Sequence, residues 1–168
     1  MKRTPNRIAL LGLCTALALI LAYVEVLLPP LFAAIPGIKI GLPNIVIIYV
    51  LYKFGMSSAI SVSFIRIIAV SILFGNFMAF VYSASGAILS LLLMFIVYKL
   101  NLFSTIAVSI VGGVFHNVGQ TIIAMIMLET AEIGYYLIVL SITGIISGAF
   151  IGLCAALLIK RLNFKFKC

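Results

Sequence analysis

The chain has 168 residues, of which 65% are hydrophobic and 8% are charged, and its formal net charge is +8 at pH 7. With a mean hydropathy of +1.40, this composition excludes a water-soluble globular domain, in which about 25% of residues are charged. The basic residues sit at the ends of apolar runs, which favours membrane topology over nucleic-acid binding. A membrane-spanning helix needs about 20 apolar residues, so we predict one all-α, six-helix membrane domain over residues 1–168.

The first apolar run predicts a spanning helix over residues 8–28. It is too long for the core of a cleaved signal peptide, and Pro29-Pro30 ends it because proline cannot continue helical hydrogen bonding. Small residues four positions apart let another helix approach closely, so we expect a partner-helix contact on this span. The residues of this contact are Gly12, Ala16, Ala18 and Ala22.

The segment from Leu31 to Pro43 is predicted to be a loop, although it is mostly apolar and Lys39 is its only charge. We expect so apolar a loop to pack onto the bundle as a cap. Asn44 is a suitable N-cap residue for a second span over residues 44–52.

Four further spans are predicted over residues 56–74, 77–98, 106–128 and 135–159. The third span of the chain holds Arg66 near mid-membrane, where a charge is costly unless it faces protein or a cavity. The sixth span has a glycine at every fourth position, which predicts a close-packed seam. These glycines are Gly144, Gly148 and Gly152.

The fifth span holds the chain's single histidine on a wide face of small and polar side chains. Two neighbouring helical stripes make up this face: Gly112, His116 and Gln120, and beside them Gly113, Asn117 and Thr121. Polar side chains are costly against lipid. We therefore expect this face to point inward, at other helices or at a ligand.

The basic residues also predict an orientation. With both termini cytoplasmic, Lys39 is the only basic residue on the outer side, beside Glu25, Glu129 and Glu132. The inner side then holds Lys2, Arg3, Arg7, Lys53, Lys99, Lys160, Arg161, Lys165 and Lys167. We expect a multi-pass protein of the plasma membrane, with the lipid bilayer as its surroundings.

In this orientation most of the scattered polar side chains fall at middle to outer depth, where an outward-facing pocket under the loop would collect them. The candidate ligand-binding residues are Lys39, Asn44, Arg66, Asn76, Tyr82, His116, Asn117 and Gln120. Structural interpretations stay open: Arg66 could pair with Glu25, His116 could be satisfied inside the bundle, and Tyr82 could be an interfacial tyrosine.

Missing residue types limit the chemistry. The chain has no aspartate, so it cannot form a paired-aspartate magnesium site for prenyl diphosphates, and it has no G-x-x-x-x-G-K-[ST] nucleotide-binding loop. One histidine without an acidic pair disfavours a metal centre, and no cysteine pair has metal-ligand spacing. We expect no enzyme activity, no cofactor and no metal, but a passive ligand-binding bundle.

Several short segments together resemble one small membrane family. They are Pro36-Gly37-Ile38-Lys39-Ile40-Gly41-Leu42 followed by Asn44-Ile45, Leu73-Phe74-Gly75, Tyr82-Ser83, and Gly112-Gly113 with His116-Asn117-x-Gly119-Gln120. This family is called heptaprenyl diphosphate synthase component I, or the Gx transporter family, and the resemblance covers nearly the whole chain. Pro43 departs from the small residue expected at its position.

The Gx transporter family is similar to the substrate-capture (S) components of energy-coupling-factor (ECF) vitamin transporters. The resemblance implies a six-helix protein that binds a small vitamin-like, anionic or aromatic compound from outside and joins a membrane scaffold subunit driven by two ATPases. It also implies that small residues of the first span contact the scaffold. Two alternatives stay open: a non-catalytic membrane partner of isoprenoid or quinone biosynthesis, and a small stand-alone carrier or channel.

Overall fold

The computed structural model describes residues 5–28 and 41–162. These residues form a helical bundle without strands, which confirms the all-α fold class. The elements are α1 (Pro5–Leu27), α2 (Asn44–Phe54), α3 (Met56–Phe74), α4 (Phe77–Lys99), α5 (Thr105–Met127), a short 3-10 helix (Ala131–Tyr135) and α6 (Tyr136–Arg161). Most of the predicted loop, including Lys39, lies outside the described residues.

Five described helices, α1, α3, α4, α5 and α6, are long and apolar enough to cross a membrane. The 11-residue α2 is not, because it extends only about 16 Å and the hydrocarbon core is about 30 Å thick. The expected count of six long spans is therefore not confirmed. Nor is Asn44 an N-cap: it is the first residue of α2, and the cap position belongs to Pro43.

Contacts at both ends show that α1 and α3 run in the same direction. At one end, Arg7 Nη2 donates to the Phe54 carbonyl oxygen over 2.8 Å and to Ser58 Oγ over 3.4 Å. At the other end, the rings of Tyr23 and Phe74 lie with their centroids 5.0 Å apart. Between the end of α1 and the start of α3, the chain must therefore cross the bundle in the opposite direction.

The short helix α2 completes this return. The segment that leads into α2 begins at Gly41, whose N–H donates to Glu25 Oε1 near the C-terminal end of α1. Helix α2 itself ends at Phe54, beside Arg7. Six consecutive residues from Val46 to Leu51 are buried, because α2 is apolar on every side and packs against α1, α3 and α6. It forms the core of the bundle instead of a lipid-facing wall.

Helix α5 packs backbone to backbone against α6. A Cβ added at Gly148 would lie 2.8 Å from Ile110 Cα, and one at Gly113 would lie 2.5 Å from the Gly144 carbonyl oxygen. Gly144, Gly148 and Gly152 are all buried. The predicted glycine seam on α6 is thus confirmed, and the pairing shows that the two helices are antiparallel.

Because the helices alternate in direction, the charges of the described residues separate toward the two ends of the bundle. One end, the basic end, holds Arg7, Lys53, Lys99, Lys160 and Arg161. The other, the acidic end, holds Glu25, Glu129 and Glu132. This separation supports an orientation with the basic end in the cytoplasm.

We predict that the acidic end faces outward. In a variant without Cys14, Cys154 and Cys168, an impermeant thiol reagent added to intact cells should modify Glu132→Cys and spare Lys53→Cys. Permeabilised cells serve as the control, since there both positions should react. Labelling of position 53 in intact cells would contradict this orientation and would indicate that the basic end faces outward.

The seam predicts a position-dependent effect of adding one methyl group. Gly148→Ala should lower stability by about 1–3 kcal/mol, because the new Cβ meets backbone that cannot yield easily. Gly12→Ala is the matched control, since nothing lies within 4 Å of a Cβ there. Thermal unfolding in detergent compares the two, and equal unfolding midpoints would contradict the tight α5–α6 contact.

Candidate functional site

A cavity lies in the half of the bundle nearer the acidic end, and all six helices contribute to its wall. Its described lining residues are Ala22, Glu25, Val26, Gly41, Asn44, Arg66, Ile67, Val70, Ser83, Gly113, His116, Asn117, Gln120, Ser147 and Ile151. The cavity thus brings together five candidates from different parts of the sequence: Asn44, Arg66, His116, Asn117 and Gln120.

The open space is about 70 Å³, which holds about five water molecules. It therefore accepts a compact polar molecule in this conformation. A ligand with a large ring system requires the cavity to widen.

The polar face of α5 reaches the cavity because α4 approaches it closely from behind. A Cβ at Gly86 of α4 would lie 2.9 Å from His116 Cε1 and 3.0 Å from Gln120 Cγ. A Cβ at Gly119 would lie 2.8 Å from the Ser85 carbonyl oxygen. These contacts hold His116 and Gln120 between α4 and the cavity.

Asn117 connects the cavity wall to α6. Its side-chain Nδ2 donates to the Leu140 carbonyl oxygen over 2.6 Å. The backbone carbonyl oxygen of Asn117 accepts from Thr121 Oγ1 over 2.8 Å. The predicted stripe therefore divides: Asn117 lines the cavity, while Thr121 is buried beyond it. Asn117 has a structural role in addition to any contact with a ligand.

Arg66 and Glu25 face the same cavity with opposite charges. The Arg66 Nε is buried and has no hydrogen-bond partner among the described residues, and Glu25 lies close enough to interact with the guanidinium electrostatically. Glu25 also accepts the N–H of Gly41, whose φ of +81° favours glycine. Glu25 of α1 thus attracts Arg66 of α3 and also contacts the start of the α2 segment.

Sequence reasoning did not include Glu25 or Ser147 among the candidate site residues. Because Glu25 lies near the end of the first span, the sequence predicts that its carboxylate reaches water at the membrane surface. The sequence also leaves open that Glu25 pairs with Arg66. Ser147 gives a weaker signal, because a single serine between glycines in an apolar helix is usual in membrane packing. Its position beside the seam, one residue before Gly148, could have indicated that it faces α5.

Two further ligand candidates, Asn76 and Tyr82, are not among the described residues that line the cavity. Asn76 caps α4, with its Oδ1 accepting the Ala79 N–H over 2.8 Å, and it is exposed. The residue of that region that lines the cavity is Ser83, next to Tyr82. Lys39 falls outside the described residues.

The small residues of α1 divide into two groups. Gly12 and Ala16 are exposed, whereas Ala18 is fully buried and Ala22 is 4% exposed and lines the cavity. Only the first pair is accessible to another helix in this structure. Of the four small residues predicted for a partner-helix contact, Gly12 and Ala16 are therefore the two that another helix could reach.

Comparison with known proteins gives one match. The sequence model of a family described as heptaprenyl diphosphate synthase component I matches residues 14–158, a range that contains every described cavity residue. No curated protein and no solved structure matches the chain.

Asn117 offers a test of the structural part of the site. Asn117→Ala should destabilise the ligand-free protein by about 0.5–1.5 kcal/mol, because it removes a hydrogen bond between α5 and α6, while the Leu140 carbonyl oxygen still accepts from the Thr143 hydroxyl. Ser147→Ala is the control: its hydroxyl bonds within α6, to the Gly144 carbonyl oxygen over 3.4 Å, so its loss should be smaller. Thermal unfolding of both variants checks this, and an equal or larger effect of Ser147→Ala would contradict it.

Proposed function

The chain belongs to the heptaprenyl diphosphate synthase component I family, as its motifs predicted, and we propose that this helical membrane protein is the substrate-capture subunit of an ECF-type importer. It binds a small vitamin-like compound from the outer face. Partner ATPases supply the energy, and a membrane scaffold subunit transmits it.

The observation that carries this proposal is the cavity itself. A guanidinium, a carboxylate, a histidine and three amides converge there from four helices of an otherwise apolar bundle. Intramembrane polar groups are costly and are retained where they pair with each other or contact a substrate. The cavity lies toward the acidic end, which we propose faces the outside because basic residues favour the cytoplasmic side.

The exposed surface of α1 supports the proposed contact with a membrane scaffold subunit. In α1, 11% of the spanning window is buried, against 17% to 28% in the other four long helices. Gly12 and Ala16 lie on its exposed side, where small residues let a partner helix approach closely. We assign this side of α1 to the scaffold subunit.

The family description favours a second candidate, a non-catalytic membrane partner of a prenyltransferase. The chain lacks aspartate, and the described residues contain no group of three or more His, Cys, Asp or Glu side chains that could hold a metal ion. Diphosphate chemistry would then have to come from the partner.

Affinity purification of the tagged chain distinguishes the two candidates. Co-expression with the ECF scaffold and both ATPases should give a stable complex and ATP-dependent uptake, which an ATPase-inactive module abolishes. Recovery of a soluble prenyltransferase without any ECF subunit would favour the second candidate and contradict the first.

A bulky residue on α1 tests the docking surface. Ala16→Trp should abolish co-purification with the scaffold while leaving the thermal stability of the isolated protein nearly unchanged, because position 16 is exposed. Ile146→Trp, at an exposed position of α6, is the matched control and should retain the complex. A loss of stability in Ala16→Trp would instead mean that this side of α1 packs inside the bundle.

A further inference from the structure

Arg66 belongs to the face of α3 that points into the bundle. Residues three and four positions apart share one face of a helix, and on this face Ser63 and Ile67 are only 3% and 5% exposed. Phe64 and Ile65, which point away from it, are 58% and 51% exposed. Arg66 itself lines the cavity. Its guanidinium therefore meets the cavity and not lipid.

This guanidinium is short of hydrogen-bond acceptors. Its Nε is buried and has no hydrogen-bond partner in the described part of the chain. Glu25 attracts Arg66 but does not accept a hydrogen bond from this Nε. An arginine has five N–H donors and stays charged, and a buried donor without an acceptor is costly. A ligand that brings acceptor oxygens to Arg66 removes this cost.

Asn117 of α5 contributes the complementary kind of group to the same cavity. Its Nδ2 donates to the Leu140 carbonyl oxygen over 2.6 Å, and a carbonyl oxygen can only accept. The side-chain amide is therefore held with its nitrogen toward α6, which leaves Oδ1 on the other side as an acceptor. Within residues 5–28 and 41–162, no donor to this Oδ1 is found. A matching ligand presents a donor to Asn117.

The geometry of a guanidinium favours a carboxylate over other acceptors at Arg66. The planar fork forms two parallel N–H···O bonds with a planar carboxylate, and such charge-assisted bonds are stronger than bonds to a neutral oxygen. The five donors allow Arg66 to bind this carboxylate while it remains near Glu25. The apolar side chains of Val26, Ile67 and Val70 in the cavity wall suit a short hydrocarbon body.

We propose that the captured ligand is a small carboxylic acid that also carries a neutral hydrogen-bond donor, such as a hydroxyl group. Its carboxylate binds the forked edge of Arg66, which a small turn of the side chain brings to the cavity, and its donor binds Asn117 Oδ1. The open space of about 70 Å³ limits it to a few heavy atoms unless the wall moves. This inference rests on the proposed function, because it takes the cavity to be the capture site.

Five probes of similar size test this ligand class: 2-hydroxybutanoate, 3-hydroxybutanoate, butanoate, butanamide and propane-1-sulfonate. Thermal unfolding of the purified protein in detergent, at constant ionic strength and tens of millimolar probe, reports their binding. One of the two hydroxy acids should stabilise the wild-type protein most. Butanoate should stabilise it more than the neutral amide or the tetrahedral sulfonate does. Equal stabilisation by butanoate and either of these two, or no gain from a hydroxyl group, overturns the proposal.

Variants of the two residues should remove separate parts of the binding. Arg66→Gln should weaken butanoate binding at least about tenfold, because it removes charge-assisted bonds. Arg66→Lys, which keeps the charge but loses the fork, should still prefer butanoate to butanamide and no longer distinguish it from propane-1-sulfonate. Asn117→Ala should keep butanoate binding and lose the gain of about threefold from the hydroxyl group.

Lys99→Gln and Asn76→Ala are the matched controls. Both positions are exposed and neither is among the described lining residues of the cavity. Asn76→Ala also loses the cap bond from the Ala79 N–H, so it lowers stability without altering the cavity. Both controls should keep the wild-type order of the probes.

If Arg66→Gln and Asn117→Ala lose stability but keep the wild-type order as well, the two residues only hold the bundle together and the proposal fails. All measurements use the isolated protein. Failure to join a scaffold subunit would therefore contradict the importer proposal alone, and a failed probe order would contradict the ligand assignment alone.

Discussion

A guanidinium in the middle of an apolar helix has to be compensated by the protein, and the arrangement of the acidic half follows from this constraint. Arg66 of α3 and Glu25 of α1 both line the cavity and attract each other, and Glu25 in turn accepts the Gly41 N–H. One charge therefore links two long helices with the chain that enters the core. Loss of one partner would leave the other charge buried and uncompensated, which is the costly case.

The space beside this pair exists because other contacts are unusually close. Glycines bring the α5 backbone against α4 and α6, so large side chains of α5 are kept out of those interfaces. The polar residues of α5 are directed toward the remaining side, where α1, α3 and the start of α2 meet them. Tight packing in one part of the bundle thus produces the opening in another.

The sequence was sufficient to predict the helices and the inward face of α5. The bounds of α3, residues 56–74, agree fully with the prediction, since Gly55 and Gly75 flank a run in which Arg66 is the only charge. The count of six spans is not confirmed at α2, because an apolar sequence does not show whether protein or lipid surrounds the helix. Asn76 is the N-cap of α4, a role that its position before an apolar run also indicates. The burial of Ala18 and Ala22 does not follow from the spacing of small residues, because the spacing does not show which side of α1 faces the bundle.

The length of α2 has a consequence for how the protein is made. A helix of 11 residues partitions poorly into a bilayer by itself, and Arg66 adds about 2.5–3.5 kcal/mol to the insertion free energy of α3. Packing against α1, α3 and α6 removes the first penalty, and attraction to Glu25 of α1 reduces the second. We therefore expect α2 to be fully accommodated in the bilayer only after α6 has been made and has packed against it.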